Sequence, residues 1–116
     1  MSIESPASAN PFLIGQYEPV RDELDVEGLR VTGRIPSALD GMYVRNGPNP
    51  QFDPLTRYHV FDGDGMVHAV RLSDGRASYH NRYVESKGLL IERREGEALF
   101  GGLSEFRMPP EELLAE

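Results

Sequence analysis

Apolar and polar residues alternate through the middle of this chain and lose that order toward both ends. In Leu29–Ile35, the residues Leu29, Val31 and Ile35 fall on one side and Arg30, Thr32 and Arg34 on the other. That two-residue period predicts a half-buried strand, and Pro36 ends it because proline brings no N–H to a ladder. Ser37–Gly41 reads as a turn and Met42–Arg45 as a second short strand. Asn46-Gly47-Pro48-Asn49-Pro50 is dense in turn residues, with Gly47 free to adopt positive φ and each proline restricting its neighbour. Tyr58–Asp62 predicts a third strand, with Tyr58 and Val60 on one face and His59 and Phe61 on the other. Gly63-Asp64-Gly65 reverses the chain. Met66–Leu72 then places Met66, His68, Val70 and Leu72 on one face, and Val67, Ala69 and Arg71 on the other. Asp74-Gly75 is the signature of a type I′ hairpin, with Ala77–Val84 as the returning strand. Residues 58–84 therefore read as an antiparallel meander, the material of propeller blades and barrels.

The flanks are different in kind. Residues 1–10 are mostly Ser, Ala, Pro and Asn and read as a frayed terminus. Phe12-Leu13-Ile14 is a short apolar patch expected to dock on the body of the domain, and Glu18–Glu27 is an acidic connector. Beyond Val84 the chain is mixed and charged. Glu92–Leu99 is expected to make one or two helical turns stopped by Gly101-Gly102. Pro109-Pro110 followed by Glu111–Glu116 has the composition of a helix start. The expected organisation is a flexible arm and connector over 1–28, strands and hairpins over 29–84, and a charged loop and helical tail over 85–116. A chain that stops one turn into a helix suggests truncation. So does a meander that leaves two open strand edges and an apolar face.

Composition narrows the class. At 116 residues the chain is one domain at most, and 39% hydrophobic with 27% charged residues is the balance of a soluble globular protein. It has no cysteine, which removes disulfides, thiolate metal sites and cysteine nucleophiles. The net charge is −7 and the Lys and Arg residues are scattered. That argues against nucleic acid as a partner and against an electrostatic membrane anchor. No apolar run reaches transmembrane length, and the N-terminus lacks the basic and apolar regions of a secretory signal, so a cytoplasmic location is expected.

Candidate chemistry is sparse. His59, His68 and His80 lie on separate predicted strands, without metal-ligand spacing. His68 shares a face with Met66, Val70 and Leu72, the setting of a packed histidine with a hydrogen-bond partner. Asp62-Gly63-Asp64-Gly65 resembles part of a calcium loop, but the Met66, Val67, His68 and Ala69 that follow supply no further oxygens, so a turn is favoured. Asp62, Asp64 and Asp74 read as turn acids bonding nearby backbone rather than as an acid/base pair. Neither Gly63-x-Gly65 nor Gly101-Gly102 has the context of a phosphate loop. Tyr43, Tyr58, Tyr79, Tyr83, Phe52 and Phe61 are expected in a core or in cross-strand pairs, with an apolar tunnel lining as the alternative.

The order of motifs carries more than any one residue. Gly41-x-Tyr43-x-Arg45-Asn46-Gly47-Pro48-Asn49-Pro50 comes first. Tyr58-His59-x-Phe61-x-Gly63-Asp64-Gly65-Met66-Val67-His68 follows, and then Asn81-Arg82-Tyr83-Val84. Together these resemble the N-terminal part of the carotenoid cleavage oxygenase family, which includes lignostilbene and apocarotenoid dioxygenases. The lead-in fits as well, with Asn10-Pro11-Phe12, Pro19-Val20 and Val31-Thr32-Gly33-x-Ile35-Pro36-x-x-Leu39-x-Gly41. The likeness runs from about Asn10 to Gly102. It implies a mainly β fold that is an incomplete part of a seven-bladed β-propeller. The family's single Fe(II) per subunit is held by four histidines with glutamates behind three of them, and it uses O2 to split a C=C bond of a conjugated apolar substrate. By the resemblance, His59, His68 and His80 are not iron ligands, and the ligands lie outside this chain. No residue is assigned a catalytic, cofactor-binding or metal-binding role, and no cofactor is expected on the fragment. The leading expectation is an inactive N-terminal fragment of such a dioxygenase. The alternatives are a self-standing, non-catalytic β-domain that binds an apolar ligand or a partner protein, and a piece that associates with a chain carrying the remaining blades.

Overall fold

The computed structural model of the chain describes residues 10–55, 58–101 and 111–113. The described residues belong to two compact units, one drawn from Met1–Arg21, Pro48–Asp64 and Glu85–Glu116, the other from Asp22–Gly47 and Gly65–Val84.

The second unit is built on a four-stranded sheet of β1 (Asp25–Val26), β2 (Gly41–Pro48), β3 (Gly65–Ser73) and β4 (Arg76–Tyr83), in the order β1–β4–β3–β2. Its centre is the β3–β4 hairpin, antiparallel from Met66↔Tyr83 to Ser73↔Arg76. The connection is the one the sequence predicts. Asp74 (φ 53°) and Gly75 (φ 74°) both take left-handed backbone, as a type I′ turn demands, and its twist matches that of the strands. Strand pleating puts Met66, His68, Val70 and Leu72 on the same face as their partners Tyr83, Asn81, Tyr79 and Ala77. That face is the buried one: Met66, Ala77, Asn81 and Tyr83 are all buried. The other face carries Val67, Ala69 and Arg71 with Arg82, His80 and Ser78.

Three strand expectations require correction. Leu29–Ile35 is not a strand. Ladder-like bonding beside β4 stops after Asp25↔His80, Val26↔Tyr79 and the bond from the Leu29 N–H to the Ala77 carbonyl (2.8 Å). Gly33 then turns left-handed at φ 92°. Leu29 and Val31 stay exposed, so the alternation had no core to bury against. β2 begins where expected but runs on through Asn46-Gly47-Pro48, which does not turn. β2 is the outer strand of the sheet, where a proline costs no ladder bond. Tyr58–Asp62 is not a strand either. Val60–Asp62 forms a 3-10 turn, because the His59 ring accepts the Phe61 N–H (3.2 Å) and the Asp62 carboxylate accepts the His59 N–H (2.9 Å). These local side-chain bonds offer the backbone a competitor to a ladder.

The first unit is held by short capped elements. Pro11–Leu13 and Gly15–Tyr17 are 3-10 turns. Asn10 caps the first by accepting the Phe12 N–H (2.9 Å) and donates to the Tyr58 carbonyl (3.0 Å). Leu13 is buried, as the docking of the apolar patch anticipates, whereas Ile14 is exposed. Asn49 grips one residue of the connector at both ends, accepting the Val20 N–H and donating to the Val20 carbonyl. The helix α1 spans Lys87–Glu95, five residues earlier than the Glu92–Leu99 pattern suggests. Ser86 caps its start by accepting the Leu89 N–H (3.2 Å), and Gly96 ends it in left-handed backbone, φ 81°. Gly96, not Gly101-Gly102, is therefore the stop. Leu89, Ile91 and Glu92 are its buried residues. Glu111–Leu113 makes a 3-10 turn. The frayed arm 1–9, Gly102 and the Pro109-Pro110 helix start lie outside the described residues.

Candidate functional site

A cavity of about 270 Å³ lies within the first unit, between the 50–64 loop, α1 and the 98–101 segment. Its apolar walls come from Phe52, Leu55, Leu89 and Phe100, with prolines 50 and 54 beside them. Its polar lining is acidic: Asp62, Asp64 and Glu92, with the Tyr58 phenol. The local fold accounts for each. Asp62 is fixed by the capping turn, and Asp64 accepts the Gln51 N–H (3.0 Å) through Oδ2. Glu92 sits one helical turn after Leu89, on the same side of α1. Its Oε2 accepts the N–H groups of Leu99 (2.7 Å) and Phe100 (3.4 Å), tying the 98–101 segment to the helix.

The electrostatics follow from this crowding of acids. Burial pushes the Tyr58 hydroxyl up to about 12, and the charges of Asp62 and Asp64 push the same way. Burial also raises the Glu92 carboxyl; the Leu99 N–H pulls it down and Asp64 pushes it up again. Sequence reasoning missed Glu92, Leu89 and Phe100 as neighbours. The one available signal was the three-residue spacing of Leu89 and Glu92 after a serine cap.

The histidines have separate duties. His59 caps a turn and stacks between Phe12 (5.1 Å between centroids) and Phe61 (4.8 Å). His68 meets Tyr79 through a 2.6 Å bond between Nδ1 and the phenol oxygen, the partner that its apolar strand face called for. Burial, and then the charge of Arg45, lower its pKa, favouring the neutral ring. His80 lies on the opposite face of the same sheet. It bonds Asp25 (2.6 Å) and faces Glu27 (3.5 Å), while Arg82 grips both oxygens of Asp25. Asp25 is held below the usual aspartate range by the His80 bond first and Arg82 second. Among the described residues no group of three or more His, Asp or Glu side chains could hold a metal ion. The residues present therefore do not fit an iron centre, and no step is derived through one. The turn acids behave as expected, Asp62 and Asp64 accepting backbone N–H groups. The aromatic set does not form one core: Tyr58 and Tyr83 are buried, but Tyr43 (66%) and Phe61 (75%) are exposed. Among the described residues no helix is long and apolar enough to cross a membrane.

Comparison with known proteins supplies the context that this geometry lacks. The chain is 49% identical over 90 residues to carotenoid 9,10(9',10')-cleavage dioxygenase 1 of Arabidopsis thaliana, a stretch covering 77% of this chain and 17% of that protein. It is 52% identical over 86 residues to a carotenoid cleavage oxygenase of Mycobacterium tuberculosis, covering 72% and 17% respectively. The crystal structure of Pseudomonas brassicacearum lignostilbene dioxygenase superposes with a TM-score of 0.79 at 36% identity, over 86% of this chain and 21% of that one. The chain thus spans about a fifth or less of the relatives it matches. Residues 17–114 match the family model described as retinal pigment epithelial membrane protein. With that match across most of its length and relatives that are carotenoid and lignostilbene dioxygenases, the chain belongs to the retinal pigment epithelial membrane protein family of carotenoid cleavage oxygenases.

Proposed function

We propose that the chain is the N-terminal portion of an Fe(II)-dependent dioxygenase that splits a C=C bond of a conjugated apolar substrate with O2. The observation that carries this reading is the high identity to oxygenases of which the chain represents only 17%. Its strands belong to a seven-bladed propeller in a cytoplasmic enzyme. The four iron-binding histidines stand outside these 116 residues, and the chain alone is inactive. The separate partners of His59, His68 and His80 support that division of labour. The test is to load the purified chain anaerobically with Fe(II), admit O2, and assay a stilbene and an apocarotenoid for carbonyl products. The expected result is neither retained iron nor turnover. Stoichiometric iron with turnover would overturn the reading.

A second reading is association with a chain carrying the remaining blades. β2 favours it: it is an outer strand, and Met42, Tyr43 and Val44 are all more than half exposed. Co-expression with the remainder of a family oxygenase should then yield a co-purifying complex. Separate elution at micromolar concentration would exclude it.

A further inference from the structure

The cavity between α1 and the 98–101 segment has features that an oxygenase scaffold does not require. Glu92 is only 8% exposed, yet its two oxygens are treated differently. Oε2 takes both backbone N–H groups, from Leu99 and Phe100. Oε1 has no hydrogen-bond partner among the described residues, and it is not sealed away either, since no buried side-chain oxygen there is without a partner. The residue lines the cavity, so Oε1 is left for whatever occupies that space. A buried carboxylate oxygen without a donor is costly unless a ligand completes it.

The surroundings define the charge of that ligand. Asp62, Asp64 and Tyr58 also line the cavity, and no Lys, Arg or His does among the described residues. Arg93, the next residue along α1, is engaged by Gln51 (2.7 Å) and Glu85 (3.8 Å) instead. The upward shifts of Tyr58 and Glu92 are consistent with an uncompensated negative field. The walls define the rest of the ligand, because Phe52, Leu55, Leu89 and Phe100 offer apolar and aromatic contact.

We propose that this cavity is a binding site for a small organic cation, a protonated amine on an apolar or aromatic body, with the ammonium donating to Glu92 Oε1. Asp62 and Asp64 supply long-range attraction, and the body fills the space between Phe52, Leu55, Leu89 and Phe100. The volume of about 270 Å³ accommodates a single ring with a short alkylamine arm. This site is independent of iron and does not rest on the oxygenase reading.

The probe is 2-phenylethylamine, and its controls are the neutral 2-phenylethanol and the anionic 3-phenylpropionate. Each is titrated at neutral pH into the full 116-residue chain, followed by amide chemical shifts and calorimetry. The amine should bind one to one with a dissociation constant on the order of 1 mM or tighter, moving the Leu99 and Phe100 amides. The alcohol should bind at least about tenfold more weakly, the size of one charge-assisted hydrogen bond, and the acid should not bind. Glu92→Gln keeps an acceptor for Leu99 and Phe100, so it should fold and lose the preference for the amine over the alcohol. Equal binding of amine and alcohol to the unmodified chain would reduce the site to an apolar hollow and overturn the proposal. So would absence of amine binding, or shifts confined to other residues; the unmodified chain gives these results whether or not the variant folds.

Discussion

Removing the Asn81 amide should cost more than its single position suggests. Asn81 is 1% exposed, and its side chain works on both sides of the connector. Oδ1 accepts the Leu24 N–H, and Nδ2 donates to the Asp22 carbonyl (3.0 Å) and contacts the Met66 sulfur (3.6 Å). Asn81→Leu keeps the volume and strips both backbone groups of their partner. A buried backbone group left unpaired costs roughly 1–3 kcal/mol, less where water can reach it. Asp22 and Leu24 are exposed residues, so the lower end applies, and the two losses together come to about 2–3 kcal/mol. With a urea slope of about 1–3 kcal/mol/M, the unfolding midpoint should fall by roughly 1–2 M. Hydrogen exchange localises the effect. The Leu24 amide should exchange at least about tenfold faster. The amide of residue 81 should stay protected, because its backbone bond to the Leu24 carbonyl (3.2 Å) survives. Asn81→Asp sharpens the test, since it keeps the acceptor but sets a charge against the Asp22 carbonyl. Burial raises the folded pKa of such an acid, so its stability should decline as pH rises through that pKa and recover on acidification. An unchanged midpoint together with unchanged Leu24 exchange in Asn81→Leu would refute the clasp.

Other outcomes follow from the same contacts. Gly63→Ala would set a Cβ 2.7 Å from the Asn49 nitrogen and 2.9 Å from the Pro48 carbonyl carbon, backbone atoms that cannot swing aside. A loss of about 1–3 kcal/mol in a thermal melt is expected. Of the five tyrosines, Tyr58 should titrate near 12 in an alkaline ultraviolet titration, and Tyr58→Phe should abolish that step. Because its folded pKa is raised, stability should fall as pH climbs from about 10, where the unfolded tyrosine ionises, to 12. The Asp25 carboxyl should titrate below the ordinary 3.8 in a carbon-detected NMR series, and His80→Ala should move it upward because the largest lowering contact is lost. Its depressed pKa stabilises the fold above the unfolded value, and that contribution should fade as pH falls through the folded one.

What the sequence determined by itself is whatever depended on residues adjacent along the chain. Asp74-Gly75 could only be a left-handed turn, and that turn set the β3–β4 register and the faces of Met66, His68, Val70 and Leu72. The likeness of its motifs to an oxygenase family was equally legible, because motif order survives without a fold. Alternation and propensity misled wherever they were tested without a neighbour. Leu29–Ile35 has the right period but only one bonding neighbour and no face to bury, so it stays irregular. At Tyr58–Asp62, side-chain capping outcompeted the strand. The tertiary structure alone decided the long-range pairings. Asn49 reaches back 29 residues to Val20, Asn81 reaches 57 to Leu24, and the acids of the 62–64 loop share a cavity with Glu92. Such contacts satisfy backbone groups or concentrate charge across segments whose separation carries no periodic signal, so only the folded chain can bring them together.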